Sequence, residues 1–294
     1  MAQDLPRARA SDLIPEHVLA HIPGLAAAGG SARAARLVGG TVNVSFRVDT
    51  GAGQFVVRLH APAIGVLGVN HAREARLHAA AAAAGLAPAL VHVDPEHRFM
   101  IMEYVQGTPW QPADFSRVDR LRQLGVALRS LHAINPPVVA PFNLPALLHH
   151  HYRRLEQAEP ADQRWLAQLM ERAATAFRAC RSGDRGSTMM HGDLHHSNLI
   201  GAERLYLLDW EYAAVADPLF DVACVLAYYP GAVAHADTLL DAARLTSEVD
   251  RQMLDQATWL YVLVSYLWYR SRRLATTVKS EDLAVEQELL KRLG

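Results

Sequence analysis

The ten residues "HGDLHHSNLI", His191 to Ile200, gather three histidines, an aspartate and an asparagine, and end on an apolar pair. Two chemistries use such a set. A metal centre would take His191 and His195, four apart and so on one side of a helix, with Asp193 as a further ligand. Gly192 and the polar "HSN" favour a loop instead, which removes that shared face. Phosphoryl transfer uses the same residues by role: Asp193 accepts the proton of an alcohol, and Asn198 holds a divalent cation. Asp209, in "YLLDWEY", gives that cation an anionic ligand. Because Mg²⁺ takes oxygen ligands and keeps several waters, one amide and one carboxylate are a sufficient share from the protein. His191 is then left to order the loop, and His195 and His196 to face solvent or substrate.

The elements that must position these residues change character along the chain. From Ala34 to Glu103 the sequence reads as short strands, "ARLV", "VSFRVD", "QFVVRLH", "ALVHVD" and "FMIMEY", with the turn signal "TGAG" between the second and third. The alanine-rich "NHAREARLHAAAAAAG" interrupts them as a helix, with Asn70 as its cap and Gly85 as its stop. After "EYVQGTPW" the apolar spacing lengthens to helical periods, and short strands return at "LIG" and "RLYLLD". This pattern predicts an α+β chain: a sheet-rich lobe over residues 1–103, a connector over 104–107 and a helical lobe over 108–294.

Composition narrows the partners. A formal net charge of -1 on 294 residues gives no electrostatic footprint for a nucleic acid. Cys180 and Cys224 stand outside any zinc or disulfide pattern, which fits a reducing cytoplasm. The N-terminal stretch lacks the basic start and continuous apolar run of a secretory signal. The run "ATWLYVLVSYLWY", Ala257 to Tyr269, falls short of the roughly twenty residues that cross a bilayer, so it reads as a buried helix. The expected partner is a small molecule in the cytoplasm, with no nucleic acid and no membrane.

"HGDLHHSNLI" followed by "LYLLDWEYAAVADPLFDVA" resembles the catalytic core of the choline/ethanolamine kinase and aminoglycoside phosphotransferase superfamily, with thiamine kinases close by. The family pattern is His-x-Asp-x-x-x-x-Asn, an apolar strand, then Asp-(Trp/Phe)-Glu, and it falls on Asp193, Asn198 and Asp209. The resemblance implies a two-lobed protein-kinase-like fold, ATP and Mg²⁺ as cofactors, Asp193 as the catalytic base, and Asn198 and Asp209 as metal ligands. It also implies that "VGGTVNVSFRV" covers the phosphates, through Gly39 and Gly40 with Asn43 or Ser45 as donors. Arg58 in "FVVRLH" corresponds to the phosphate-binding basic residue and Glu74 to the group that orients it. Glu103 and Val105 in "MIMEYVQG" mark the main chain that meets adenine.

For the acceptor, "DWEY" is similar to the choline kinase side of the superfamily. This implies that Glu211 and Tyr212, with Trp259 or Trp268 of the late aromatic helix, wall a pocket for a cationic alcohol such as choline, ethanolamine or thiamine. An aminoglycoside or amino-sugar phosphotransferase is the alternative, as is a catalytically silent nucleotide-binding regulator. Asp217 and Asp221, near a helix start, are expected to cap it or brace a loop, with Asp221 structural.

Overall fold

The computed structural model describes residues 8–25, 32–37, 43–61, 68–158, 160–180, 185–247, 249–274 and 280–294. The chain folds as two compact units: Met1–Pro109 with Leu199–Glu211, and Trp110–Asn198 with Tyr212–Gly294.

The first unit is built on an antiparallel sheet. Its strands run in the order Ala8–Arg9, Arg33–Arg36, Val44–Thr50, Gly53–Leu59, Phe99–Glu103 and Leu90–Val93. Alternation along the strands decides its faces. Phe46, Val48, Phe55, Val57, Phe99 and Ile101 point one way and pack with Ile14, Val18 and Ile22 from the N-terminal turns. Arg58, one residue out of step with Val57, points the other way, beside its register partners Ser45 and Met100. The helix His71–Ala83 starts where Asn70 accepts a bond from the Arg73 N–H at 2.9 Å, and the chain turns at Gly85 with φ +74°.

A smaller sheet joins Thr108–Pro109 to the hairpin Leu199–Gly201 and Leu205–Leu207. Gly107 permits this, because a Cβ there would lie 2.5 Å from Ile200 Cγ2 and 2.6 Å from the Gly201 carbonyl oxygen. The Leu207 N–H then donates to the Leu86 carbonyl at 2.8 Å, fixing the hairpin to the turn after the helix.

The second unit is mainly helical. Val118–His132 buries Leu121, Leu124, Leu128 and Leu131, a stripe at helical spacing. Leu219–Tyr228 is buried at every position but its last. Arg251–Arg273 begins at the Asp250 cap and contains the apolar run from Ala257 to Tyr269. Among the described residues no helix is long and apolar enough to cross a membrane. One two-stranded ladder, Thr188–Met190 against Ala214–Ala216, brings the segments carrying His191 and Tyr212 side by side.

Candidate active site

The loop that follows Met190 has no ladder of its own, so its polar groups must find partners elsewhere. They find them on one helix. Asp221 is fully buried and accepts from the His191 N–H at 3.1 Å, the Gly192 N–H at 2.9 Å and His132 Nε2 at 3.0 Å. Cys224 Sγ accepts from the Leu194 N–H at 3.1 Å, and the Tyr228 hydroxyl donates to Asp193 Oδ1 at 3.2 Å. Positions 221, 224 and 228 fall at i, i+3 and i+7, so one stripe of Leu219–Tyr228 is a template for the loop. Tyr229 extends it, accepting from the His196 N–H at 2.6 Å. The sequence pointed to Asp221 as a structural, loop-bracing residue, but Cys224 and Tyr228 on the same stripe were missed, although their signal was a helical period of polar groups in an otherwise apolar helix.

Within the loop, His191 is fully buried and its Nδ1 accepts from the Asp193 N–H at 3.2 Å. Gly192 has φ +76°, and a Cβ there would stand 2.7 Å from the Tyr212 carbonyl oxygen, so both conformation and space demand glycine. Asn198 Nδ2 donates to the Asp193 carbonyl at 3.0 Å and to Asp193 Oδ2 at 2.9 Å. With its nitrogen so committed, Asn198 offers Oδ1 as a ligand atom, the hard oxygen that Mg²⁺ prefers. Burial, then the neighbouring His196, lowers the His195 pKa to about 4. That ring is therefore neutral near pH 7, with its Nδ1 2.9 Å from Ser197 Oγ.

Asp221→Ala tests the bracing. It leaves two loop N–H groups and His132 without their acceptor, a loss of about 3–5 kcal/mol by the usual cost of removing one partner of a buried charged network. In a unit of this size the expected fall in Tm is roughly 6–20 °C. A Tm within about 2 °C of wild type would remove Asp221 from this role.

Tyr228, which bonds Asp193, belongs to a group of aromatic side chains in the second unit. The Tyr261 hydroxyl donates to the Gly192 carbonyl, and its ring meets Tyr228 edge-on at 5.8 Å. Burial and the Asp193 charge push the Tyr228 phenol well above its ordinary pKa, and the same two causes push Tyr269 up to about 12. Tyr212 meets Trp268 edge-on at 6.3 Å, and Trp268 meets Tyr269 at 5.0 Å. Arg272, ion-paired to Asp282 at 3.0 Å, lies 5.4 Å from the Trp268 ring centre, so part of that ring's attraction for cations is already used.

Trp259 does not join this group. It is buried, its N–H points to the Leu293 carbonyl, and Arg172 lies 4.0 Å from its ring centre. The helical period explains the correction. Tyr261 and Trp268 are seven apart on one stripe, whereas Trp259 and Tyr266 are seven apart on another. Tyr266 meets Trp165 edge-on at 5.6 Å and bonds Arg270.

In the first unit Arg58 is the centre. Its Nη1 donates to Glu74 Oε1 at 3.0 Å, and its Nη2 lies 2.6 Å from Glu211 Oε2 and 2.7 Å from Asp209 Oδ1. Burial opposes the charge, but the carboxylates of Asp209, Glu74 and Glu211 outweigh it and hold the guanidinium more firmly protonated than usual. Burial likewise raises the Glu74 carboxyl, and Arg58, followed by the His71 hydrogen bond, brings it below its ordinary value. Asn43 Nδ2 donates to Glu211 Oε2 at 2.7 Å while its Oδ1 accepts the Ala61 N–H at 3.1 Å.

Glu211 therefore serves Arg58 and Asn43 here, a correction to its expected place in an acceptor wall. Successive residues of the tight turn Trp210–Tyr212 have different partners. Trp210 packs beside His78, Glu211 reaches Arg58, and Tyr212 belongs to the second unit. Asp209 has φ +63°, a left-handed conformation that aspartate tolerates better than most residues, and its carboxylate is a hard oxygen donor fit for Mg²⁺.

Ser45 stands opposite Arg58 in the ladder. Gly39 and Gly40 lie outside the described residues. The Glu103 N–H pairs with the Ala89 carbonyl at 2.9 Å and the Tyr104 N–H with that of Gln54 at 2.9 Å. A cavity of about 320 Å³ is lined by Glu103, Tyr104, Val105 and Gln106, and by Arg204 and Tyr206.

Residues 33–255 match the phosphotransferase enzyme family, and the chain belongs to it. Among solved structures it is similar to a choline/ethanolamine kinase family protein from Mesorhizobium loti, at 25% identity and TM-score 0.77, covering 94% of this chain and 91% of that one. It is also similar to the choline kinase LicA from Streptococcus pneumoniae, at 18% identity and TM-score 0.75, with 87% and 91% covered. A macrolide 2'-phosphotransferase from Brachybacterium faecium matches at 20% identity and TM-score 0.58, with 87% and 91% covered.

Proposed function

We propose that the chain catalyses ATP-dependent transfer of the γ-phosphate to the hydroxyl of a small cationic metabolite of the choline, ethanolamine or thiamine type. The observation that carries this reading is the seating of Asp193, a carboxylate steadied by one amide and one phenol among tyrosine rings. Such a group can orient an alcohol and take its proton, while the ring faces favour an ammonium, at about 0.5–2 kcal/mol each.

Asp193 is the base in this reading, and Asn198 Oδ1 and the Asp209 carboxylate hold Mg²⁺, which when bound balances charge on the phosphates. Arg58, oriented by Glu74, pairs with the nucleotide phosphates, and Asn43 or Ser45 is a donor to them. The main chain of Glu103 and Val105 meets the base. The hydrogen bond from Tyr228 holds the Asp193 carboxylate at a fixed angle, which favours one orientation of the acceptor hydroxyl.

ADP release with choline, ethanolamine, thiamine, aminoglycosides and amino sugars tests the acceptor class. A charged small alcohol should be preferred over the uncharged carbon isostere of choline. Tyr212→Ala is expected to raise the acceptor KM by about 2- to 30-fold, the equivalent of one lost cation-ring contact, while the KM for ATP stays constant. Equal turnover of choline and its neutral isostere, or preference for an uncharged sugar, would reject the cationic acceptor and leave phosphotransfer standing.

A further inference from the structure

Glu74 is fully buried, and each of its oxygens is held by a different residue. Oε1 accepts from Arg58 Nη1 at 3.0 Å, and Oε2 lies 2.8 Å from His71 Nδ1. An ionised carboxylate only accepts, so His71 carries a proton on Nδ1 and donates it. A single donor would leave the carboxylate free to turn about its last torsion, which has no sharp minimum of its own. Donors on both oxygens fix it. At the other edge of the guanidinium, Asp209 and Glu211 share Nη2, at 2.7 and 2.6 Å. Among the described residues Nη1 has Glu74 alone, and the aim of Glu74 is set by His71.

His71 is itself clamped. Its ring lies flat on that of His60, with centres 3.7 Å apart and planes 7° from parallel. His60 is held in turn, its Nδ1 2.7 Å from the His97 carbonyl oxygen and its backbone N–H donating to the Arg98 carbonyl at 2.9 Å. Burial lowers the His60 pKa to about 4, so near pH 7 that ring is neutral and does not repel its neighbour. His60 follows the strand Gly53–Leu59 that carries Arg58, and His71 opens the helix that carries Glu74 three residues on. The stack thus ties the strand to the helix where their charged side chains meet. His71 Nε2 is buried and bonds nothing among the described residues. An apolar side chain would fill the place without that cost, so packing alone does not account for a histidine here.

We propose that His71 is a positioning residue for phosphoryl transfer, holding the Glu74 carboxylate in the orientation that presents Arg58 to the nucleotide phosphates, with the His60 ring as its backing. This rests on the reading of Arg58 as the group that pairs with those phosphates. The consequence is selective. The effect of His71 falls on nucleotide affinity, and the acceptor, assigned to other side chains, does not feel it.

The test is calorimetric binding of MgATP, without acceptor, to the full-length chain and its variants. His71→Leu keeps bulk and deletes the donor. It is expected to weaken ATP by about 5- to 30-fold, part of the factor that a hydrogen bond to a buried charge contributes, while the acceptor KM stays within about twofold of wild type. His71→Asn places an amide N–H near the position of Nδ1 and should recover most of that loss. In a Glu74→Leu background the His71→Leu change should cost less than about twofold, because the group it acts through is gone. Fully additive losses across that cycle overturn the role of His71, as does wild-type affinity in His71→Leu beside a weakened Arg58→Gln. Wild-type affinity in Arg58→Gln instead overturns the reading of Arg58 on which the role rests. Should the leucine variants not fold, the imidazole ¹⁵N spectrum of the wild-type chain decides. MgATP should move the assigned His71 Nδ1 resonance, and no movement overturns the role.

Discussion

Asp193→Asn is expected to lower turnover by about 10²–10⁴-fold, the usual share of a positioned general base, while the affinity for ATP stays near wild type. The geometry makes this a clean experiment. Asp193 Oδ2 accepts from Asn198 and Oδ1 from Tyr228. An asparagine can present its oxygen to Asn198 and its nitrogen to the Tyr228 oxygen, which accepts as readily as it donates. Loop structure is therefore retained and only proton acceptance is lost. Single-turnover rates and nucleotide titrations read the two effects separately. Turnover within about threefold of wild type would sink the assignment of Asp193 as base.

Asp209→Asn is expected to cost about 10²-fold or more in turnover at ordinary Mg²⁺, since a metal ligand contributes several kcal/mol of charge stabilisation. Asparagine is chosen over alanine because the residue sits at φ +63°, where asparagine is tolerated and alanine adds strain. Arg58 keeps Glu74 and Glu211 in this variant, so the fold should survive. Part of the lost rate should return as Mg²⁺ is raised. A half-saturating Mg²⁺ concentration equal to that of wild type would remove Asp209 from the metal site.

Local rules made much of the fold legible. The Asn70 cap, the Gly85 stop and the turn between Thr50 and Gly53 each act within a few residues, and the structure has an element boundary at each. Apolar period separated the sheet-rich part from the helical part. What sequence reasoning could not carry was set by contacts between distant residues. Glu211 meets Arg58 across 153 positions, and no spacing rule distinguishes that partnership from a place beside the adjacent Tyr212. Packing of the hairpin Leu199–Leu207 with the first unit depends in the same way on Gly107 and Leu86. The aromatic helix shows the opposite case. Its residues were visible as a set, but only the period of 3.6 applied residue by residue separates Tyr261 and Trp268 from Trp259 and Tyr266.

The loop from His191 to Asn198 borrows its order from the helix Leu219–Tyr228, and that has a kinetic meaning. An irregular segment ordinarily opens on its own, and its amide hydrogens leave for solvent in the time of a local fluctuation. Here the amides of His191, Gly192 and Leu194 are each held by a side chain of one buried helix. Their exchange is expected to be slower than that of an unbraced loop, because opening must break bonds to buried acceptors on that helix. The segment that must hold a carboxylate still for chemistry thus takes its order from core side chains and only in small part from regular structure of its own.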